Sequence, residues 1–198
     1  DEASAVISER FGSSVVIKPL RQGSALGVTR LPGGGDMSEP IKRARRYGDT
    51  MLVEPYFEGK EVTAGVLDLE GEEKVVFPVT EIELADGEWY DFRNRYEVGR
   101  STHRIPANLP RHVLDEITNY ARKAHECLGL RDLSRSDFLV SETNEVILLE
   151  VNTMPGMTPT SLYPDAARAA GLSFSDLMDK LVVNAANRAA NMSRSANV

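Results

Sequence analysis

Two strand-like runs, LSRSDFLV at 133–140 and EVILLEVN at 145–152, flank the short polar stretch Ser-Glu-Thr-Asn. Runs of this length around polar turn residues predict a β-hairpin. Taking Thr143-Asn144 as a two-residue turn places Asp137 opposite Glu150 and Arg135 opposite Asn152. Side chains alternate along a strand, so these four residues share one face. Phe138, Val140, Ile147, Leu149 and Val151 are expected on the other face, in the core. A loop one residue longer would shift the register.

Two carboxylates directly opposite one another repel at neutral pH. A cation between Asp137 and Glu150 removes the conflict. Hard oxygens from these two carboxylates and the Asn152 amide suit Mg²⁺, which takes few protein carboxylates and completes its shell with phosphate and water. Soft ligands are absent, which argues against zinc. The alternative is a surface hairpin with solvated acids. The hairpin runs straight into TMPGMTPTSL at 153–162, where a Pro-Gly turn follows the carboxamide at once.

The chain has 198 residues, enough for one large domain or two small lobes. Its formal net charge of −7 argues against nucleic acid or an anionic membrane as the main partner. No apolar run approaches transmembrane length. The single cysteine, Cys127, excludes an internal disulfide and suits a reducing compartment. Its place in AHECLGL predicts a small core residue. The three histidines, at 103, 112 and 125, lack metal-ligand spacing. The chain opens on Asp1, inside a helical pattern, and reads as a piece of something longer.

A helix over residues 2–11 stops at Gly12. SVVIKP at 14–19 and VTRL at 28–31 read as a hairpin around LRQGSALG. A helix follows over 38–47, then strands in TMLVEPY, EVTAGVLD, KVVFPV and TEIEL. Residues 85–107 lack periodicity and read as a long loop. LPRHVLDEITNYARKAHECLGL is a helix with Pro110 near its start. SFSDLMDKLVVNAANRAA is a closing helix with a Ser-x-x-Asp start.

Lys18 lies in an otherwise apolar strand, and Gly23, Ser24 and Gly27 follow it. Glycines let backbone N–H groups approach a phosphate. A plain hairpin turn with a snorkelling lysine accounts for the same residues. Glu54 and Glu61 flank a segment able to offer backbone groups to an adenine and a carboxylate to ribose hydroxyls. Two exposed glutamates are the simpler alternative.

The order of these pieces resembles the ATP-grasp fold, and more closely the D-alanine–D-alanine ligase family. The matching stretches are VVIKPLRQGSALGV, LVEPYFEGKEVTAGVL, YDFRNRY, SRSDFLV and LLEVNTMPGMTPTSLYPDAARAAGLSFSDLM, the last being the most specific. They correspond to roughly the C-terminal two-thirds of such a ligase. The resemblance implies an α+β ATP-grasp fold of mostly antiparallel sheets with flanking helices, lacking the N-terminal domain. Residues 1–55 would be the remnant of the central lobe, 56–191 the C-terminal lobe, and 192–198 a frayed tail.

The resemblance also implies roles. Lys18 binds ATP phosphates, Glu54 and the Phe57 backbone meet the adenine, and Glu61 meets the ribose. Asp137, Glu150 and Asn152 hold two Mg²⁺ ions, with Mn²⁺ as a substitute. Ser24 and Tyr96 join a hydrogen-bonded group near the first D-alanine, and Arg95 stands where relatives carry a lysine. Residues 85–107 form a mobile loop that closes over the site. Arg135 and the Gly156 N–H stabilise the reacting centre, and Ser161 and Leu162 line the second D-alanine's site. The implied activity is ATP-dependent, cytoplasmic synthesis of D-alanyl-D-alanine for peptidoglycan, by a homodimer when full length. A D-alanine–D-lactate ligase and a nucleotide-binding module without ligase chemistry are the alternatives. Ala25 departs from the usual Gly-Ser-Ser loop.

Overall fold

The computed structural model describes residues 2–85, 89–91, 94, 97, 99–158 and 161–195, with Glu2 and 191–195 described by backbone alone. The chain divides into two compact units, Asp1–Gly59 with Leu84–Ser101, and Lys60–Glu83 with Thr102–Val198.

The first unit is built on a three-stranded sheet, ordered β2-β1-β3, of β1 (Val15–Pro19), β2 (Thr29–Leu31) and β3 (Met51–Pro55). Both pairings are antiparallel. Alternation along β1 buries Val15 and Ile17 completely, with Met37, Ile41 and Ala44 around helix α2 (Ser38–Arg45). Helix α1 (Glu2–Phe11) adds Ala3, Ile7 and Phe11, one residue per turn from the same stripe. Val16, Lys18, Arg30, Leu52 and Glu54 occupy register positions on the other face.

The second unit carries a sheet of β4 (Lys60–Asp68), β5 (Val75–Val76), β6 (Thr80–Leu84), β7 (Ser101–Arg104), β8 (Asp132–Val140) and β9 (Val146–Asn152). The strand order is β7-β6-β4-β8-β9, with β5 paired to β4 off that path. Helix α3 (Arg111–Cys127) buries Val113, Ile117, Ala121 and His125 at four-residue steps. The first three meet Val62, Ala64, Val66, Phe138 and Val140 of the sheet. Helices α4 (Leu162–Ala169) and α5 (Phe174–Ser195) cluster around Leu67, Leu69 and Phe77.

Gly65 makes that second packing layer close. A β-carbon there would sit 2.8 Å from the Tyr163 ring of α4 and 3.1 Å from Phe77. The two rings meet edge to face at 5.2 Å, and the Tyr163 hydroxyl donates to the Val66 carbonyl at 2.8 Å. Burial pushes the Tyr163 phenol far above its ordinary range, so the hydroxyl is a donor at every physiological pH.

Several expectations need correction. Cys127 is exposed; it falls on the last residue of α3, off the stripe set by Val113, Ile117 and Ala121. KVVFPV yields only the two-residue strand β5. Residues 85–107 are not wholly loop, because Ser101–Arg104 form β7. Helix α4 is not predicted by the sequence pattern, because it has only eight residues and carries Pro164 in its first turn.

Candidate active site

The β8–β9 hairpin turns through three residues, not two. Ser141 N donates to Glu145 O at 3.0 Å, and Asn144 N returns to Ser141 O at 2.9 Å. Asn144 takes a left-handed φ of 68°, a conformation its side chain tolerates. The longer loop shifts the register beside it, pairing Val140 with Val146, Leu139 with Ile147 and Phe138 with Leu148. An irregularity between Asp137 and Phe138 then leaves Leu149 without a partner. This bulge absorbs the extra residue. Beyond it Asp137 faces Glu150, and Arg135 faces Asn152.

The face carrying Arg135, Asp137, Glu150 and Asn152 is therefore assembled as the two-residue turn predicts, while the core face is not. Val146 and Leu148, rather than Ile147 and Leu149, stand opposite Val140 and Phe138. Leu148 and Leu149 are both exposed. Ile147 shares the Asp137 face with Leu139.

β4 completes the same face from the other side of β8. Glu61, Thr63 and Gly65 stand opposite Leu139, Asp137 and Arg135. Arg135 is 7% exposed. Its Nε donates to Asp137 Oδ1 at 2.7 Å and its Nη2 to Oδ2 at 2.8 Å. Such a two-pronged, charge-assisted pair fixes both groups in orientation. Thr63 adds a donor to Asp137 Oδ1 at 2.8 Å; nothing in the sequence pattern singles it out.

After β9, Asn152 Oδ1 accepts from Met154 N at 3.0 Å, an Asx turn that starts the Met-Pro-Gly segment. A β-carbon on Gly156 would lie 2.8 Å from Ser161 Oγ. Ser161 Oγ accepts from Thr158 N at 3.0 Å and shares a hydrogen bond with Thr158 Oγ1 at 2.8 Å. The space the glycine leaves is filled by this hydroxyl. Leu162 follows, buried, as the first residue of α4.

The donor set fits a hard cation. Asp137, Glu150 and Asn152 offer only carboxylate and carboxamide oxygens. Among the described residues, no three or more His, Cys, Asp or Glu side chains are grouped so as to hold a metal ion by themselves. The small number of carboxylates matches Mg²⁺ bound together with phosphate.

In the first unit, Lys18 Nζ lies 2.6 Å from Glu54 Oε2. Ser24 and Ala25 both adopt left-handed φ, 54° and 58°, inside the tight turn closed by Leu26 N to Gly23 O at 3.1 Å. Phe57 is half-buried in the stretch between β3 and β4. Arg95 and Tyr96 lie outside the described residues.

A serine–histidine–aspartate chain also exists. His125 Nδ1 is 2.8 Å from Ser134 Oγ, and its Nε2 is 3.2 Å from Asp68 Oδ2. Ser134 and His125 are both completely buried, so no substrate reaches this serine. It is a structural network joining α3 to β8 and β4.

The family model described as D-ala D-ala ligase C-terminus matches residues 1–183. The chain belongs to that family. The D-alanine–D-alanine ligase of Desulforudis audaxviator is 44% identical over 183 residues, covering 92% of this chain and 58% of the relative. That of Gluconobacter oxydans is 42% identical, covering 87% and 56%. Among solved structures, the D-Ala:D-Ser ligase VanG of Enterococcus faecalis superposes with a TM-score of 0.76 at 32% identity, covering 91% of this chain and 52% of that one. D-alanyl-alanine synthetase A of Vibrio cholerae gives 0.80 at 26% identity, covering 92% and 56%. The fold is thus ATP-grasp, α+β, with mostly antiparallel sheets and flanking helices. The chain spans about half the length of the curated relatives it matches.

Proposed function

We propose that this chain carries the ATP-binding and ligation chemistry of an ATP-dependent D-alanine–D-alanine ligase, acting through an acylphosphate. The observation that carries the reading is the common face of Arg135, Asp137, Glu150 and Asn152, set in a chain of this family. Bound there, magnesium would supply positive charge against the transferring phosphoryl group. Two ions would share Asp137, Glu150 and Asn152, with Mn²⁺ as a substitute.

Lys18 would neutralise ATP phosphate, and the Phe57 backbone would meet the adenine. Glu54 holds Lys18 at 2.6 Å, on the face of the first unit's sheet opposite its buried Val15 and Ile17; its adenine contact would be made from there. Glu61 would accept from the ribose hydroxyls. The phosphoryl group would pass to the carboxylate of one D-alanine, and the amine of a second would attack the resulting carbonyl. A tetrahedral oxyanion then needs preorganised donors. Arg135 is preorganised by its pairing with Asp137, and the Gly156 N–H would be the second donor. Ser161 and Leu162 would receive the second amino acid. Ser24 and Tyr96 would orient the first, with Arg95 adjoining.

Among the described residues no helix is long and apolar enough to cross a membrane. A cytoplasmic enzyme of peptidoglycan precursor synthesis, a homodimer when full length, completes the reading. The test is to supply the product of the native gene with ATP, Mg²⁺ and D-alanine, D-serine or D-lactate. ADP and D-alanyl-D-alanine formed in equal amounts are expected. ADP without a ligated product would leave a nucleotide-binding module. Preference for D-lactate at neutral pH, or for D-serine, the substrate named for VanG, would move the specificity.

A further inference from the structure

Thr63 stands directly opposite Asp137 in the β4–β8 register and is 2% exposed. Its hydroxyl oxygen is 2.8 Å from Asp137 Oδ1 and 3.0 Å from the Ser136 carbonyl oxygen. A hydroxyl has a single proton to give. An ionised carboxylate is the stronger acceptor, so the proton points at Asp137. Arg135 Nε donates to that same Oδ1, while Arg135 Nη2 donates to Oδ2. Each carboxylate oxygen has roughly two acceptor positions. Oδ1, with two donors, is filled; Oδ2, with one, retains a position.

We propose that Thr63 is a positioning residue that makes Asp137 a one-oxygen metal ligand and thereby favours Mg²⁺ over Ca²⁺. The inference rests on the metal role proposed for Asp137. Mg²⁺ requires compact octahedral coordination by single oxygens. Ca²⁺ accepts more ligands and takes carboxylates through both oxygens. Filling Oδ1 withholds the second oxygen from Ca²⁺ and leaves Mg²⁺ the one it uses. Valine at position 63 keeps the shape of threonine and removes the donor. Oδ1 then regains an acceptor position, and the carboxylate can chelate.

The experiment follows Mn²⁺ binding through its paramagnetic resonance signal, then displaces Mn²⁺ with Mg²⁺ or Ca²⁺. The unaltered protein is compared with Thr63→Val, Thr63→Ser and Asp137→Asn. Thr63→Val is expected to lower the ratio of Mg²⁺ to Ca²⁺ affinity by about tenfold, the low end of the losses seen when a ligand's supporting hydrogen bond is removed. Thr63→Ser, which keeps the hydroxyl, is expected to hold the original ratio. Asp137→Asn is expected to weaken Mn²⁺ uptake outright.

An unchanged ratio in Thr63→Val beside weakened uptake in Asp137→Asn overturns the selectivity role and leaves the metal reading in place. Unchanged uptake in Asp137→Asn, or none by the unaltered protein, overturns the metal reading and this inference with it. Thermal melts accompany each variant. Should Thr63→Val fail to fold, Thr63→Ala takes its place under the same criterion.

Discussion

Asp137 faces Glu150 across the hairpin because Leu149, between the two ladders of β9, is bulged out of the pairing. The three-residue turn alone would have set Leu149 opposite Asp137. The bulge returns the carboxylate to that position and leaves Leu149 exposed. Bulges re-aim side chains in this way beside functional sites.

Two carboxylates placed opposite each other make a direct prediction. Glu150→Gln keeps the size of the side chain and removes its charge. The magnesium concentration for half-maximal ligation is expected to rise about tenfold or more, with turnover reduced, because a charged ligand is lost from a site with few. Initial rates over a magnesium series check this. An unchanged midpoint would remove Glu150 from the metal site.

Arg135 offers a second. Arg135→Lys keeps the positive charge and discards the planar fork that holds both oxygens of Asp137. Turnover is expected to fall by about a hundredfold, the scale seen when an oxyanion donor is removed. The KM for ATP should change little. Weaker ATP binding at unchanged turnover would assign Arg135 to the nucleotide instead.

Much of this face is legible from the spacing of residues 133–152. Period-two alternation puts Arg135 and Asp137 on one side, and the polar stretch at 141–144 marks the turn. The loop length is not legible, because Thr143-Asn144 and Glu142-Thr143-Asn144 suit two- and three-residue turns alike. The error it introduces cancels at Asp137 through the bulge and persists at Ile147 and Leu149. Thr63 is invisible for another reason. One threonine in an apolar strand gains its meaning only from the strand that pairs with it. Tyr163 likewise carries no local sign of its contact with Gly65, since the two lie far apart in the chain.

Gly156 and Ser161 form a pair that can be tested by a double-mutant cycle. Gly156→Ala would push a methyl against Ser161 Oγ, 2.8 Å away, and disturb the hydrogen bonds to Thr158. Crowding of this kind costs about 1–3 kcal/mol. Ser161→Ala removes the colliding oxygen, so Gly156→Ala should cost less stability in that background than alone. Thermal or urea melts of the four proteins give the coupling. Strict additivity would mean the Gly156 turn relaxes away from Ser161.

Asp132 supplies a prediction about acid. It adopts a left-handed φ of 66° at the start of β8. Arg188 of α5 grips it through two hydrogen bonds, at 2.7 and 2.9 Å, and Asn184 adds a third at 2.6 Å. The Arg188 hydrogen bond, foremost, holds the Asp132 carboxyl below its ordinary value of 3.8. A carboxylate depressed in the folded state stabilises above the unfolded value, and that stability drains away as pH falls through the folded one. Arg188→Met keeps much of the side chain's apolar length and removes the partner. At neutral pH the variant should melt below the unaltered protein. The gap should begin to close as pH drops through 3.8 and vanish once Asp132 is protonated in both states. Melting temperatures across pH 2 to 7 (about that span covers both protonation limits of a depressed carboxyl) decide it. A gap that stays constant to the acid limit would mean that Arg188 stabilises α5 by packing and not through Asp132.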